Sequence, residues 1–262
     1  MKENIKRFIS KVNLFGFDAY KFKSSLRGLS FYNKDFKEIK RQKGKDDQFP
    51  FGKKMPILDE REETSGNMTG HYFHQDLYVA RRIFKKNPEN HLDIGSRTDG
   101  FVAHVASYRK IEVMDIRPQD VNIENIEFRQ ADLMILPKDL LSKYDSISSL
   151  HVIEHFGLGR YGDPIDYFGH LKAIENITKM LSSGGRFYFS TPIGRQRIEF
   201  NAHRIFSVNY LISLFQKDYS IDRFSYVDDQ GDFFENAPID DKSVEENYNF
   251  NYGCGIFELV KH

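Results

Sequence analysis

Apolar residues along this chain fall into short runs, and the runs change character near residue 90. From there on, strand-like and helix-like stretches alternate. His91–Gly95 (HLDIG), Ile111–Ile116 (IEVMDI), Ile126–Asp132 (IEFRQAD), Asp145–Leu150 (DSISSL) and Arg186–Thr191 (RFYFST) read as strands. Phe101–Tyr108, Ile165–Leu181 and Ser207–Phe215 have helical spacing. Gln75–Lys86 is a further helix, with Leu77, Ala80, Arg81 and Phe84 at helical spacing and Asn-Pro just past its end. Tyr219–Val227 and Gly255–Val260 are late strands with no clear helix between them, which predicts an antiparallel ending. The alternation predicts an α/β fold, a mostly parallel sheet with helices on both faces.

The first 54 residues do not share this pattern. Ile5, Phe8, Ile9 and Val12 fit one face of a helix whose other positions hold Lys2, Lys6, Arg7 and Lys11. Such a face packs against the body or a second subunit of a homodimer, or lies on an anionic membrane surface. The rest of this region reads as basic and irregular, and Lys40–Lys54, broken by Gly and Pro, as a linker. Two parts are expected, a basic extension over 1–54 and a folded domain over 55–262.

Charge sharpens that division. The 262 residues carry 38 Lys+Arg and 38 Asp+Glu, but residues 1–90 hold 20 against 12, and the remainder 18 against 26. A neutral whole argues against a surface built to coat nucleic acid, and no nucleic-acid partner is expected. One cysteine, Cys254, excludes an intramolecular disulfide framework and any multi-cysteine metal site. No window has the apolar length of a membrane span, and polar residues interrupt any signal-like core at the start. A cytoplasmic location is expected.

In open α/β sheets, ligands bind at the carboxyl ends of the strands. The first strand ends in Asp93-Ile94-Gly95-Ser96-Arg97-Thr98-Asp99-Gly100, where Gly95 lets a ligand approach the backbone. Arg97 stands where a dinucleotide motif needs its second glycine, which disfavours a pyrophosphate. Asp115 closes the second strand, suited to ribose hydroxyls, and Asp132 follows the third, suited to an adenine amino group. Successive carboxylates repel phosphate but suit a nucleoside with a cationic tail, such as S-adenosylmethionine (SAM).

The series DIGSRTDG, MDIRP, QADL, SSLHVIEHF and LSSGGRFYFSTP resembles the motifs of class I SAM-dependent methyltransferases. More narrowly, GHYFHQDLYVARRIF, HLDIGSRTDGFVAH, SSLHVIEHFGLGRYGDPID and IEFNAHRIF resemble an uncharacterised methyltransferase-like family associated with surface polysaccharide biosynthesis. The likeness runs from about Pro56 to Asp232. It implies a Rossmann-like, mostly parallel seven-stranded sheet with an antiparallel last strand, and SAM as cofactor. It also implies site roles. Asp93 and Gly95 form the SAM-binding turn, Ser96 and Arg97 line the methionine portion, and Asp115 with Ile116 holds the ribose. Asp132 and Leu133 recognise adenine, and Ser149, Leu150 and His151 lie beside the sulfonium. Arg97 departs from the glycine most class I enzymes have there.

His151-Val152-Ile153-Glu154-His155 matches the H-x-x-E-H zinc-hydrolase motif, but it begins at a strand end and meets Gly157 and Gly159, too short a helix for both histidines to share a face. No metal is therefore expected. Methyl transfer to a hydroxyl needs a base, and histidine is suited to it. His155 opens the loop after the fourth strand and is the first candidate, followed by His151 and His203. Arg160, Tyr161 and Asp163 in that loop, with Arg195 and Arg204 near the fifth strand end, are candidates for binding an anionic acceptor. The expected activity is O-methylation of a sugar or a small phosphorylated or nucleotide-linked glycan precursor. A non-catalytic SAM-binding module and a nucleic-acid methyltransferase are the alternatives.

Overall fold

A computed structural model describes residues 9, 11–45, 48–120, 122–136 and 138–262. The expected basic helix face rests on Ile5 and Phe8, which lie outside the described residues. The chain divides into two compact units, one ending at Asn67 and the other beginning at Met68.

The first unit is built on α1 (Ala19–Lys43), where the sequence pattern predicts an irregular segment. The Asp18 carboxylate accepts from the Tyr20 and Lys21 N–H groups and caps the helix start. Lys40, Arg41 and Lys43 complement its C-terminal dipole, and Gly44, at φ +56°, ends it. The helix escapes pattern reading because its apolar residues form no single buried stripe: of its 25 residues, only Gly28 is buried. A Cβ at Gly28 would lie 2.0 Å from the Leu58 carbonyl oxygen, so only glycine lets that later segment cross the helix. Lys21–Asp59 (3.1 Å) and Arg61–Asp35 (3.0 Å) flank the crossing.

The second unit holds an eight-stranded sheet in the order β3-β2-β1-β4-β5-β10-β8-β9. β1 (His91–Ile94), β2 (Ile111–Asp115), β3 (Ile126–Gln130), β4 (Tyr144–Leu150) and β5 (Leu181–Ile193) are parallel. β10 (Gly253–Lys261) runs antiparallel between β5 and β8 (Tyr219–Val227), and β9 (Phe233–Phe234) adds a short edge. Every residue of β1 is buried, as a central strand covered on both faces requires.

Side chains alternate between two cores. Phe187 and Phe189 pack with Phe257 under α4 (Gly169–Met180) and α5 (Val208–Phe215). Tyr188 and Ile256 face α2 (His71–Lys86) on the other side. The Tyr78 hydroxyl donates to Glu258 at 2.7 Å, and Arg82 ion-pairs with the same buried carboxylate at 2.8 Å. These bonds fix α2 across β10 and set its first residues, His71 and Tyr72, against His151 at the end of β4.

The five parallel strands fall where the apolar runs predict them. The helix expected over Phe101–Tyr108 is instead a π-helical turn, Thr98–Val102, followed by the four-residue α3 (Ala103–Ala106). The hairpin of β6 (Arg197–Glu199) and β7 (His203–Ile205) was not expected, since strands of three residues leave too little alternation to read. A five-residue helix, α6 (Asp241–Glu245), sits between the last two long strands. No helix among the described residues is long and apolar enough to cross a membrane.

Candidate active site

The carboxyl ends of β1, β2, β3 and β4 border a cleft lined by Gly95, Asp115, Ile116, Asp132, Leu133, His151, His155, Tyr161 and Asp163 among others. A second hollow adjoins it past Gly95 and Asp115, bounded by Ser96, Arg97, Leu150 and Tyr72. Gly95 adopts φ +67°, and a Cβ there would meet the Val152 side chain at 2.7 Å, so the turn admits only glycine.

Asp93 supports this turn from behind rather than facing the cleft. It is fully buried, and accepts from the Ser96 N–H (3.0 Å), the Ser96 hydroxyl (2.7 Å) and the Ser148 hydroxyl (2.6 Å). Burial pushes its carboxyl up to about 7, and the serine hydrogen bonds only partly offset that. Ser96 Oγ in turn accepts the Leu150 N–H at 3.1 Å, and the buried Ser149 hydroxyl points to the Ile94 carbonyl at 3.3 Å. Arg97, where a glycine is usual, lies outward, paired with Asp99 at 3.0 Å and over the Tyr72 ring at 5.2 Å.

At the end of β2, Asp115 is held by its own neighbour. Arg117 donates to both carboxylate oxygens, Nε at 3.0 Å and an Nη at 2.6 Å, while its backbone N–H adds a third bond at 2.8 Å. The guanidinium also lies 4.6 Å over the Tyr161 ring. Asp132 keeps one oxygen on the Met134 N–H at 2.9 Å.

The other end of the cleft is built of buried polar groups. His151 adopts φ +55°, and its Nδ1 meets Glu154 Oε1 at 2.9 Å. Burial lowers the affinity of this imidazole for a proton, but its neighbours Cys254 and Glu154 more than offset that and hold it well above its ordinary value. Glu154 is driven up by its complete burial, and the His151 partner outweighs that and holds it below the usual carboxylate range. His155 Nδ1 donates to the Ala202 carbonyl at 2.6 Å, which leaves the lone pair on Nε2. Burial lowers the His155 pKa, so a neutral imidazole with a free Nε2 lines the cleft. His203 pairs with Glu199 at 3.2 Å and lines neither hollow, though its ring is 6.3 Å from that of His155.

The expected acceptor-binding residues separate into two groups. Tyr161 is exposed at the rim of the cleft, the Arg160 guanidinium lies 5.2 Å from its ring centre and donates to the Ala202 carbonyl at 3.1 Å, and Arg195 is exposed past β5. Arg204 is not free for an acceptor. It is buried, and its guanidinium is committed to the carbonyls of Phe156 (2.6 Å), Tyr167 (3.0 Å) and Glu154 (3.4 Å). Asp163 likewise serves its own loop, accepting from the N–H groups of Gly157 (2.8 Å), Gly159 (3.2 Å) and Tyr161 (3.2 Å). Sequence reasoning missed Arg117, Tyr72 and the bridging role of Glu154. Only Glu154 carried a signal, as the acid of the HVIEH run.

This strand order, with cleft-lining loops at the parallel strand ends and an antiparallel strand near one edge, defines a Rossmann-like fold of the class I methyltransferase type. The chain belongs to the family DUF268, described as "Caenorhabditis protein of unknown function", whose model matches residues 104–251, more than half of the chain. No curated protein matches the sequence. Among solved structures, the [4+2]-cyclase SpnF superposes with a TM-score of 0.51 at 16% identity, covering 72% of this chain and 80% of that one. The N-methyltransferase NodS from Bradyrhizobium japonicum WM9, in complex with S-adenosyl-L-homocysteine, has a TM-score of 0.49 at 15% identity, covering 86% of this chain and 97% of that one. At such identities the likeness is one of fold.

Proposed function

We propose that this protein binds SAM in the cleft and transfers its methyl group to a hydroxyl of a small anionic acceptor. The observation that supports this most directly is the alignment of Gly95, Asp115 and Asp132 on successive strand ends, next to a neutral histidine with a free Nε2. The cleft's carboxylates suit a ribose, an adenine amino group and a cationic tail, and its side-chain-free turn at Gly95 suits close backbone approach. Bound SAM would supply an electrophilic methyl group. His155 Nε2 takes the proton from the acceptor hydroxyl, and Glu154, 3.8 Å from that nitrogen, favours the charge that develops. Arg160 and Arg195, both exposed, would supply the positive charge for a phosphate or carboxylate on the acceptor. A sugar or nucleotide-linked precursor of a surface glycan fits this chemistry and the resemblance drawn from the sequence.

A second reading is a SAM-binding protein that does not transfer methyl groups, since a protein described as a cyclase shares the fold. Calorimetry with SAM, followed by incubation with nucleotide sugars and mass detection of a product heavier by one methylene unit, separates the readings. Absence of SAM binding overturns both. Binding without a methylated product from any acceptor favours the second.

A further inference from the structure

Three donor side chains that methyl transfer does not require meet beside the cleft. His71 opens α2, His151 follows β4, and Cys254 is the second residue of β10. Because β10 runs antiparallel, its first residues lie at the edge where the parallel strands end, with Cys254 opposite Pro192 of β5 and Val227 of β8. A cysteine far along the sequence is thereby delivered to the histidine end of the cleft. Each of the three residues offers one ligand atom, and these atoms all lie within 4.8 Å of one another.

The surroundings are those of a ligand set. The His151 side chain is 3% exposed, and its buried Nε2 has no oxygen or nitrogen partner among the described residues, only the Cys254 thiol as neighbour. A buried ring nitrogen served by a thiol alone is weakly satisfied. Its other nitrogen is held by Glu154 at 2.9 Å, the carboxylate–histidine arrangement that orients metal-bound imidazoles. The His71 ring is stacked between those of His151 (5.1 Å) and Tyr252 (5.3 Å), so its direction is fixed. The Cys254 sulfur is fully buried, and its contacts with oxygen, to Gln75 at 3.8 Å and Gly255 at 3.9 Å, are long and weak.

We infer that His71, His151 and Cys254 form a binding site for a divalent transition-metal ion of the zinc or cobalt type. Two imidazoles and a thiolate exclude magnesium and calcium, which take oxygen ligands. Metal–nitrogen and metal–sulfur bonds of about 2.0 and 2.3 Å imply donor separations of roughly 3.3–3.7 Å in a tetrahedral site, so the side chains close by about 1 Å on an ion. The H-x-x-E-H motif is not this site. It contributes His151 as a ligand and Glu154 as its support, while His155 turns its Nδ1 to Ala202. Three protein ligands leave one position open. His151 lines the cleft, so the site adjoins the cleft wall, and this placement rests on no part of the methyl-transfer reading.

The test uses the full chain, stripped with a chelator and titrated with cobalt(II) alone. One equivalent is expected to bind, with a thiolate-to-cobalt charge-transfer band in the near ultraviolet and the intense visible bands of four-coordinate cobalt. Cys254→Ser removes the charge-transfer band. His71→Asn, at a half-buried helix start, keeps the circular dichroism of the parent and weakens cobalt binding at least tenfold. Absence of the charge-transfer band in the parent protein overturns the inference, as does cobalt affinity unchanged in folded His71→Asn. SAM binding measured on the same samples is a separate readout: cobalt binding without SAM binding sinks the proposed activity and leaves the metal site standing.

Discussion

The two ends of the cleft solve opposite problems with the same residue chemistry. At the β2 end, Asp115 is largely covered but its partner Arg117 is half exposed, with side-chain exposures of 13% and 51%. A pair open to water on one side exchanges more readily than one sealed on both. The carboxylate is therefore stored under a removable cover, with the Tyr161 face as one resting place for the guanidinium. At the β4 end, Glu154 and His151 are sealed at 1% and 3% side-chain exposure, and exchange there means exposing a buried charge. One end is built to swap partners when a ligand arrives, the other to keep the Glu154–His151 pair sealed from water.

The sharpest way to break this contrast is at His155. His155→Ala is expected to lower turnover about 100- to 10,000-fold, the usual contribution of a positioned acid or base, with SAM affinity nearly unchanged. Turnover close to the parent's moves the base to His151 or His203. Glu154→Ala tests the sealed end directly. It should cost about 3–5 kcal/mol in urea unfolding, the penalty for stripping one partner from a buried pair; a loss near zero means that end is as exchangeable as the other. Asp115→Ala should weaken SAM binding about 10- to 100-fold by calorimetry, as expected for losing hydrogen bonds to a charged group worth about 1.5–3 kcal/mol, while the unfolding midpoint stays put. Unchanged affinity removes Asp115 from the ribose.

Two smaller effects refine the picture. Asp93 carries a pKa raised to about 7 in the folded chain against 3.8 for the free side chain. Below about pH 4 both states hold the proton. Between about pH 4 and 7 only the unfolded chain has lost it, so this group's contribution to stability falls as pH rises through that window. Asp93→Asn should remove that fall from the urea midpoints, and an unaltered pH profile means that Asp93 is ionised when folded. Least in size, Arg117→Ala should tighten SAM binding a few-fold by uncovering Asp115. Weakened binding instead assigns Arg117 to the ligand.

Much of the fold was legible because parallel strands buried on both faces read as apolar runs, as in HLDIG and IEVMDI. α1 was not, since a helix with almost no buried face leaves no stripe. The carboxylate end was legible for a similar reason: Gly95, Asp115 and Asp132 each end a recognisable strand. The histidine end was legible only in part. His151, Glu154 and His155 share one run, but His71 and Cys254 come from the far ends of the domain and meet there only because α2 crosses β10 and β10 reverses direction. Arg204 misled because charge alone does not tell a guanidinium facing an acceptor from one tied to three carbonyls.

β10 also governs when this domain can form during synthesis. Its nine residues, Gly253–Lys261, fill the gap between β5 and β8, so until the ribosome has made them the sheet lies in two pieces with facing edges unpaired. The Phe224–Phe257 and Phe189–Phe257 ring contacts, and the carboxylate that anchors α2, arrive on the same strand. Between the synthesis of β8 and that of β10 the nascent chain carries two open strand edges, the condition in which chaperone capture or mispairing with a neighbouring polysome chain competes with folding.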